Sequence, residues 1–96
     1  MREIDLSDLP DELSDEIIKR ANETIEDYEF NANPVHVMPK SKIITLNGES
    51  DKIIRLYTEL EQTVKSSLSY ILEKNDEYTK NEIDKYKDSI EFKEAG

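Results

Sequence analysis

The chain contains no cysteine and no tryptophan, and it has only two glycines and one histidine among its 96 residues. Without cysteine there is no disulfide, no thiol nucleophile and no zinc site of the cysteine type, a usage that suits the reducing cytoplasm. The two glycines, Gly48 and Gly96, are too few and too far apart for a loop that cradles phosphate. We therefore expect a cytoplasmic protein without a nucleotide cofactor.

Catalytic and metal-binding groups are equally sparse. The only histidine, His36, falls in a predicted strand, and one histidine does not make a catalytic triad. Carboxylate pairs arise by chance among 23 Asp and Glu residues, so they carry no specificity for acid–base catalysis. Asp5, Asp8 and Asp11 are spaced too widely for a calcium loop and lack its central glycine. We expect neither an enzyme nor a metal site, although a ligand bound near His36 would revive the enzyme hypothesis.

Long apolar runs and a basic excess are also missing. No segment approaches the roughly 20 apolar residues that span a bilayer, and the first residues lack the pattern of a signal peptide. Nucleic acid and anionic lipid attract proteins through Lys and Arg. Because this chain has 13 such residues against 23 acids, a net charge of −10, we expect no direct binding to nucleic acid or to a membrane.

The chain contains enough apolar residues to form one small folded domain over 1–96. Leu, Ile, Val and Phe together make up 24 of the 96 residues, which exceeds the roughly 20% below which a highly charged chain is expected to be disordered. Helical spacing of apolar residues predicts a first helix over about 10–29, which ends before Pro34.

Two β-branched runs follow, over about 35–38 and 43–46, and predict a short hairpin. Two strands alone are marginal in water, so the hairpin must lie on a helix or be completed by another chain. A long helix is predicted over about 50–73, with an apolar arc of about 200°, wider than one neighbouring helix covers. A sparsely apolar helix over about 76–92 comes last.

The predicted class is therefore α+β and mostly helical. The expected core consists of Leu13, Ile17, Ile25, Tyr28, Val37, Ile44, Leu46, Ile53, Leu56, Leu60, Val64, Leu68 and Ile71.

Negative charge is concentrated at one end of the chain. Residues 1–29 carry a charge of −8, residues 30–50 a charge of +1, and residues 51–96 a charge of −3. At 100° per residue, one flank of the first helix carries a row of four acids, and the other flank carries a further four. The first row consists of Glu12, Glu16, Glu23 and Asp27, and the other flank holds Asp11, Asp15, Glu26 and Glu29. Like charges at this spacing repel, so either the acids only keep the protein soluble or they meet a basic partner.

Three tyrosines recur every eight residues near the carboxyl end, at Tyr70, Tyr78 and Tyr86. Tyrosine is frequent among interface anchors because it combines apolar area with a hydroxyl, although packing between helices explains this spacing as well. We include these tyrosines as candidate partner-binding residues, together with six acids of the first helix: Glu12, Glu16, Glu23, Asp27, Asp11 and Asp15.

The leading hypothesis is a non-enzymatic binding protein that inhibits or regulates a partner by occupying a basic surface of it, for example one that otherwise holds nucleic acid. In composition, though in no motif, the chain is similar to phage-encoded anti-defence inhibitors, including anti-CRISPR proteins, and to immunity proteins and antitoxins. The alternative is a structural or adaptor subunit that forms a homodimer through the helix over about 50–73, where apolar residues alternate at spacings of three and four.

Overall fold

A computed structural model describes residues 1–30 and 34–94, which form an antiparallel sheet packed against helices. The strands are β1 (Arg2–Asp5), β2 (Val35–Met38), β3 (Ile43–Leu46) and β4 (Glu91–Glu94). The helices are α1 (Asp11–Glu26), α2 (Asp51–Lys74) and α3 (Lys80–Ser89). The predicted α+β, mostly helical class is confirmed.

The strands lie in the order β2-β3-β1-β4, and every neighbouring pair is antiparallel. Ile4 of β1 lies between Ile44 of β3 and Phe92 of β4, and these residues face the helices. This element and strand order is that of the split β-α-β, or ferredoxin-like, topology, with α3 added before the last strand. Because that topology carries many unrelated functions, the function has to be argued from the surface.

The predicted hairpin is completed by the two ends of the same chain, not by another chain. β1 pairs with β3 on one side and with β4 on the other. Neither end strand was predicted, since each is four residues long and mostly charged. Strand pairing between the first and last residues depends on contacts that no local pattern reveals.

The first and last helices are shorter than predicted. α1 ends at Glu26 instead of about residue 29, because Glu29 adopts a φ of 47°, in the left-handed region. α3 begins at Lys80 instead of about residue 76, because Thr79 and Glu82 form a capping box that fixes its start. It ends at Ser89, and the chain continues as β4 through an extended Ile90, so the expectation of helix to about residue 92 is corrected.

α2 is the central helix, as its wide apolar arc predicts. Its amino end is capped by Ser50, whose hydroxyl accepts a hydrogen bond from the backbone N–H of Ile53. Residues of its own chain cover the apolar arc, and the only large apolar side chains exposed on α2 are Ile54 and Tyr70. A homodimer through this helix stays a prediction, and the helix offers it no uncovered apolar stripe.

Most of the expected core is buried, and the exceptions lie near element ends. Ile25, Tyr28, Val37 and Ile71 are only partly buried and pack against the edge of the core. The residues that the sequence reading missed include several near the chain termini. They are Ile4, Leu6, Leu9, Ile18, Ala21, Val35, Tyr57, Leu72 and Ile90.

Candidate functional site

Two members of the predicted acidic row, Glu23 and Asp27, face α2 across an open groove, which we call the acidic groove. Its volume is about 560 Å³. Its walls are Arg20, Glu23 and Thr24 of α1, Asp27 directly after α1, and Glu59, Gln62, Thr63, Ser66, Ser67 and Tyr70 of α2. The groove is thus a product of two helices that are far apart in sequence.

Small hydroxyl side chains line the bottom of the acidic groove. The hydroxyls of Thr24 and Thr63 lie 3.4 Å apart, within hydrogen-bonding distance across the two helices. Ser67 is 4% exposed beneath them. Because Thr and Ser fill less volume than the Leu and Ile residues deeper in the interface, the two helices leave space between their outer edges.

The two amino-terminal members of the acidic row already have partners within the protein. Glu12 accepts a hydrogen bond of 2.5 Å from the hydroxyl of Tyr78. Glu16 pairs with Arg20 at 3.4 Å, one turn along α1. The first contact joins α1 to the segment before α3, and the second neutralises one carboxylate of the row, so both side chains already have partners within the protein.

The two carboxyl-terminal members differ in this respect. Glu23 and Asp27 are exposed and form no ion pair with any other residue in the described parts of the chain. Glu59 approaches from the opposite wall and accepts a hydrogen bond from the hydroxyl of Tyr28, a contact that raises the pKa of that phenol. Three carboxylates therefore converge on one groove, with Arg20 as the cation among its lining residues.

A second hollow extends the acidic groove toward the amino end of α2. It has a volume of about 450 Å³ and shares Asp27 and Glu59 with the first. Lys52 and Arg55 line its far side. Lys52 lies 4.7 Å from the ring centroid of Phe30 and donates a hydrogen bond to the backbone carbonyl of Glu29. Negative charge is therefore strongest in the middle of the groove and weakens toward this end.

Tyr70 closes the other end of the acidic groove. Its side chain is 48% exposed, and the guanidinium of Arg20 lies 5.2 Å from its ring centroid. Lys74 lies 4.5 Å from the same ring, and its hydrogen bond to the phenol lowers the pKa of Tyr70. Two cations of the protein itself therefore already lie against this ring, so negative charge in the acidic groove is weakest at the Tyr70 end.

The other candidate tyrosines hold helices together. The rings of Tyr78 and Tyr86 meet edge to face with centroids 5.8 Å apart. The hydrogen bond to Glu12 raises the pKa of Tyr78 to about 12, since the carboxylate favours the protonated phenol. Both residues are half-buried, so we assign them to the attachment of α3 and not to a free surface.

Asp11 and Asp15 are not brought into the acidic groove. Asp11 pairs with Lys42 at 2.6 Å, and the same lysine donates to the backbone carbonyl of Leu9. This contact fixes the start of α1 to the loop between β2 and β3. Asp15 is exposed and is not among the residues that line the acidic groove. The structure therefore separates the two acidic flanks that the helical projection describes.

Half of the acidic groove was missing from the sequence prediction. The polar residues of α2 that line it, such as Glu59 and Gln62, carry an ordinary hydrophilic pattern. A helical projection places them on one flank of α2, but it does not reveal that this flank faces α1. Only the packing of the two helices supplies that information.

Two further expectations from the sequence concern His36 and metal-binding groups. His36 is exposed on the sheet face away from the helices, and it is not among the residues that line the acidic groove. Within residues 1–30 and 34–94 there is no group of three or more His, Asp or Glu side chains that could hold a metal ion. In the same ranges, no helix has the length and apolarity to cross a membrane.

Comparison with known protein families, with characterised proteins and with solved structures finds no match to this chain.

Proposed function

We propose that the protein is a non-enzymatic binding module that holds a basic segment of a partner protein in the acidic groove. The observation that supports this proposal best is the exposure of Glu23 and Asp27 without an internal cation, opposite Glu59. Carboxylates that serve only for solubility have no need to converge between two helices. Here they line one groove, where carboxylates can accept charge-assisted hydrogen bonds from lysine and arginine side chains.

Such a module would act as an inhibitor or regulator. A partner whose basic surface ordinarily binds nucleic acid would present the required positive charge, and occupation of that surface would block its use. Electrostatic complementarity of this kind speeds association and selects partners by charge. The compositional likeness to anti-defence inhibitors such as anti-CRISPR proteins, and to immunity proteins and antitoxins, is in keeping with this role.

A pair of matched variants tests the proposal. The first variant carries Glu23→Lys and Asp27→Lys in the acidic groove, and the second carries Asp15→Lys and Glu26→Lys outside it. Each variant replaces two exposed acids by lysine, so both variants change the net charge by the same amount. Glu12 and Glu16 are left unchanged because their contacts support the fold.

A pull-down from the native host with mass spectrometry identifies the partner, and its affinity is then measured with both variants. We expect the groove variant to bind at least about tenfold more weakly and the control variant to bind within about twofold of the original, since close charge pairs dominate over distant ones. We also expect binding to weaken between about 50 and 500 mM salt. Equal losses in the two variants, or affinity independent of salt, would contradict the proposal.

A further inference from the structure

The opposite flank of α2 carries a smaller and more enclosed pocket, which we call the lysine pocket. It has a volume of about 260 Å³ and lies between α2 and the junction of α3 with β4. Leu68 and Ile90 form an apolar floor, and both are almost fully buried. Lys65, Ser69 and Lys87 form the walls. An apolar floor with a few polar groups at the rim is the usual composition of a small-molecule site.

The two lysines are weakly neutralised for a protein with a net charge of −10. Lys87 forms no ion pair with another described residue. Lys65 has one carboxylate neighbour, Glu61, at 4.0 Å, and its ammonium lies 5.1 Å from the ring centroid of Phe92. The hydroxyl of Ser69 makes no hydrogen bond within the described ranges and adds a donor at the rim.

We propose that the lysine pocket binds a small organic anion with an apolar body, such as a short alkyl carboxylate. The alkyl part would lie on Leu68 and Ile90, and the carboxylate would accept hydrogen bonds from the ammonium groups of Lys65 and Lys87 and from Ser69. A neutral molecule would form no ion pair with the ammonium groups of Lys65 and Lys87. This site is separate from the acidic groove and does not depend on the proposed partner.

Binding in the lysine pocket would join α3 to the rest of the protein. α3 has no fully buried residue of its own, so its packing on α2 is the weakest among the helices described. An anion held by Lys65 of α2 and Lys87 of α3 adds contacts across that interface. We therefore expect the ligand to slow hydrogen exchange in α3 more than in α1.

Octanoate is a suitable probe, with octanol and octylammonium as matched molecules of neutral and positive charge. Titrations are followed by the methyl signals of Leu68 and Ile90 in nuclear magnetic resonance spectra. We expect saturable shifts with octanoate, and binding at least about fivefold weaker with octanol and weaker still with octylammonium, because a charge-assisted hydrogen bond is stronger than a neutral one.

Lysine variants identify the site. Lys87→Met and Lys65→Met keep an unbranched apolar side chain and remove the charge, and Lys85→Met makes the same change on α3 outside the pocket. We expect each pocket variant to weaken octanoate binding about fivefold to tenfold and the Lys85 variant to leave it within about twofold. Circular dichroism checks that all three variants remain folded.

The proposal is overturned if octanoate gives no saturable shift, if octanol binds as tightly, or if Lys85→Met weakens binding as much as Lys87→Met. The first result would show that the pocket takes no such ligand. The second would show that the lysines play no part in recognition. The third would show a general effect of net charge instead of a site.

Discussion

The two flanks of α2 are built from different residues and carry opposite charge. On the side of α1, small hydroxyl residues lie beneath the carboxylates of Glu23, Asp27 and Glu59. On the side of α3, apolar Leu68 and Ile90 lie beneath Lys65 and Lys87. The net charge of −10 describes neither surface. The comparison teaches that the charge of each surface depends on the local arrangement of residues. A single helix, α2, separates an acidic surface from a basic one.

A substitution in the core of α2 should disturb both flanks together and has the largest expected effect. Leu60 is fully buried, so Leu60→Ala removes packing atoms and leaves a cavity, at a cost of about 2–5 kcal/mol in the free energy of unfolding. Ile54 of the same helix is 40% exposed, and Ile54→Ala should cost less than about 1 kcal/mol. Urea denaturation measures both.

If Leu60→Ala costs no more than Ile54→Ala, then α2 is not the element on which both flanks depend. The acidic groove and the lysine pocket would then not depend on a common helix.

A substitution at Tyr78 should lower stability less than Leu60→Ala does, and it should weaken only the attachment of α3. The hydroxyl of Tyr78 is bonded to Glu12 at 2.5 Å, whereas that of Tyr86 has no hydrogen-bond partner within the described ranges. Tyr78→Phe should therefore cost about 0.5–1 kcal/mol and speed hydrogen exchange in α3. Tyr86→Phe keeps the ring packing and should be nearly neutral in denaturation experiments. Equal costs for the two variants would show that the bond to Glu12 does not hold α3.

The smallest effect concerns the ionisation of tyrosines, and it distinguishes Tyr70, at the end of the acidic groove, from tyrosines outside the groove. Tyr70 lies beside Lys74 and Arg20, which lower its pKa, whereas the hydrogen bond to Glu12 raises the pKa of Tyr78 to about 12. Burial raises the pKa of Tyr57 to about 12 as well. An ultraviolet titration should show Tyr70 ionising before Tyr57 and Tyr78, and Tyr70→Phe should remove an early step.

The same titration has a consequence for stability. The pKa of Tyr78 is higher in the folded protein than the value of about 10 expected when it is unfolded. The hydrogen bond to Glu12 therefore contributes fully below about pH 10 and is lost as the pH rises toward about 12. The difference in stability between the original protein and Tyr78→Phe should shrink over that range. A difference that stays constant to pH 12 would contradict the assignment.

Local patterns were sufficient for the strongly periodic parts of the fold. Leu56, Leu60 and Val64 recur at helical spacing and are buried as predicted. β1 and β4 were missed because Ile4 and Phe92 are isolated apolar residues in charged segments, and their partners come from the far end of the chain. The acidic row could be predicted from the sequence. The hydrogen bond between Glu12 and Tyr78, and the opposing wall of the groove that carries Glu59, could not. Those features are set by how α2 packs on α1 and α3.

The most direct test of the central claim maps where a cationic peptide binds. A short arginine peptide is titrated into isotopically labelled protein at about 150 mM salt, where distant surface charges are largely screened. We expect the amide shifts to concentrate on Glu23, Thr24 and Asp27 and on the facing residues of α2 from Glu59 to Ser66. Shifts spread evenly over the acidic residues, with Asp15 and Glu26 as strongly affected as Glu23 and Asp27, would show that the acids form a solubilising surface and not a binding groove.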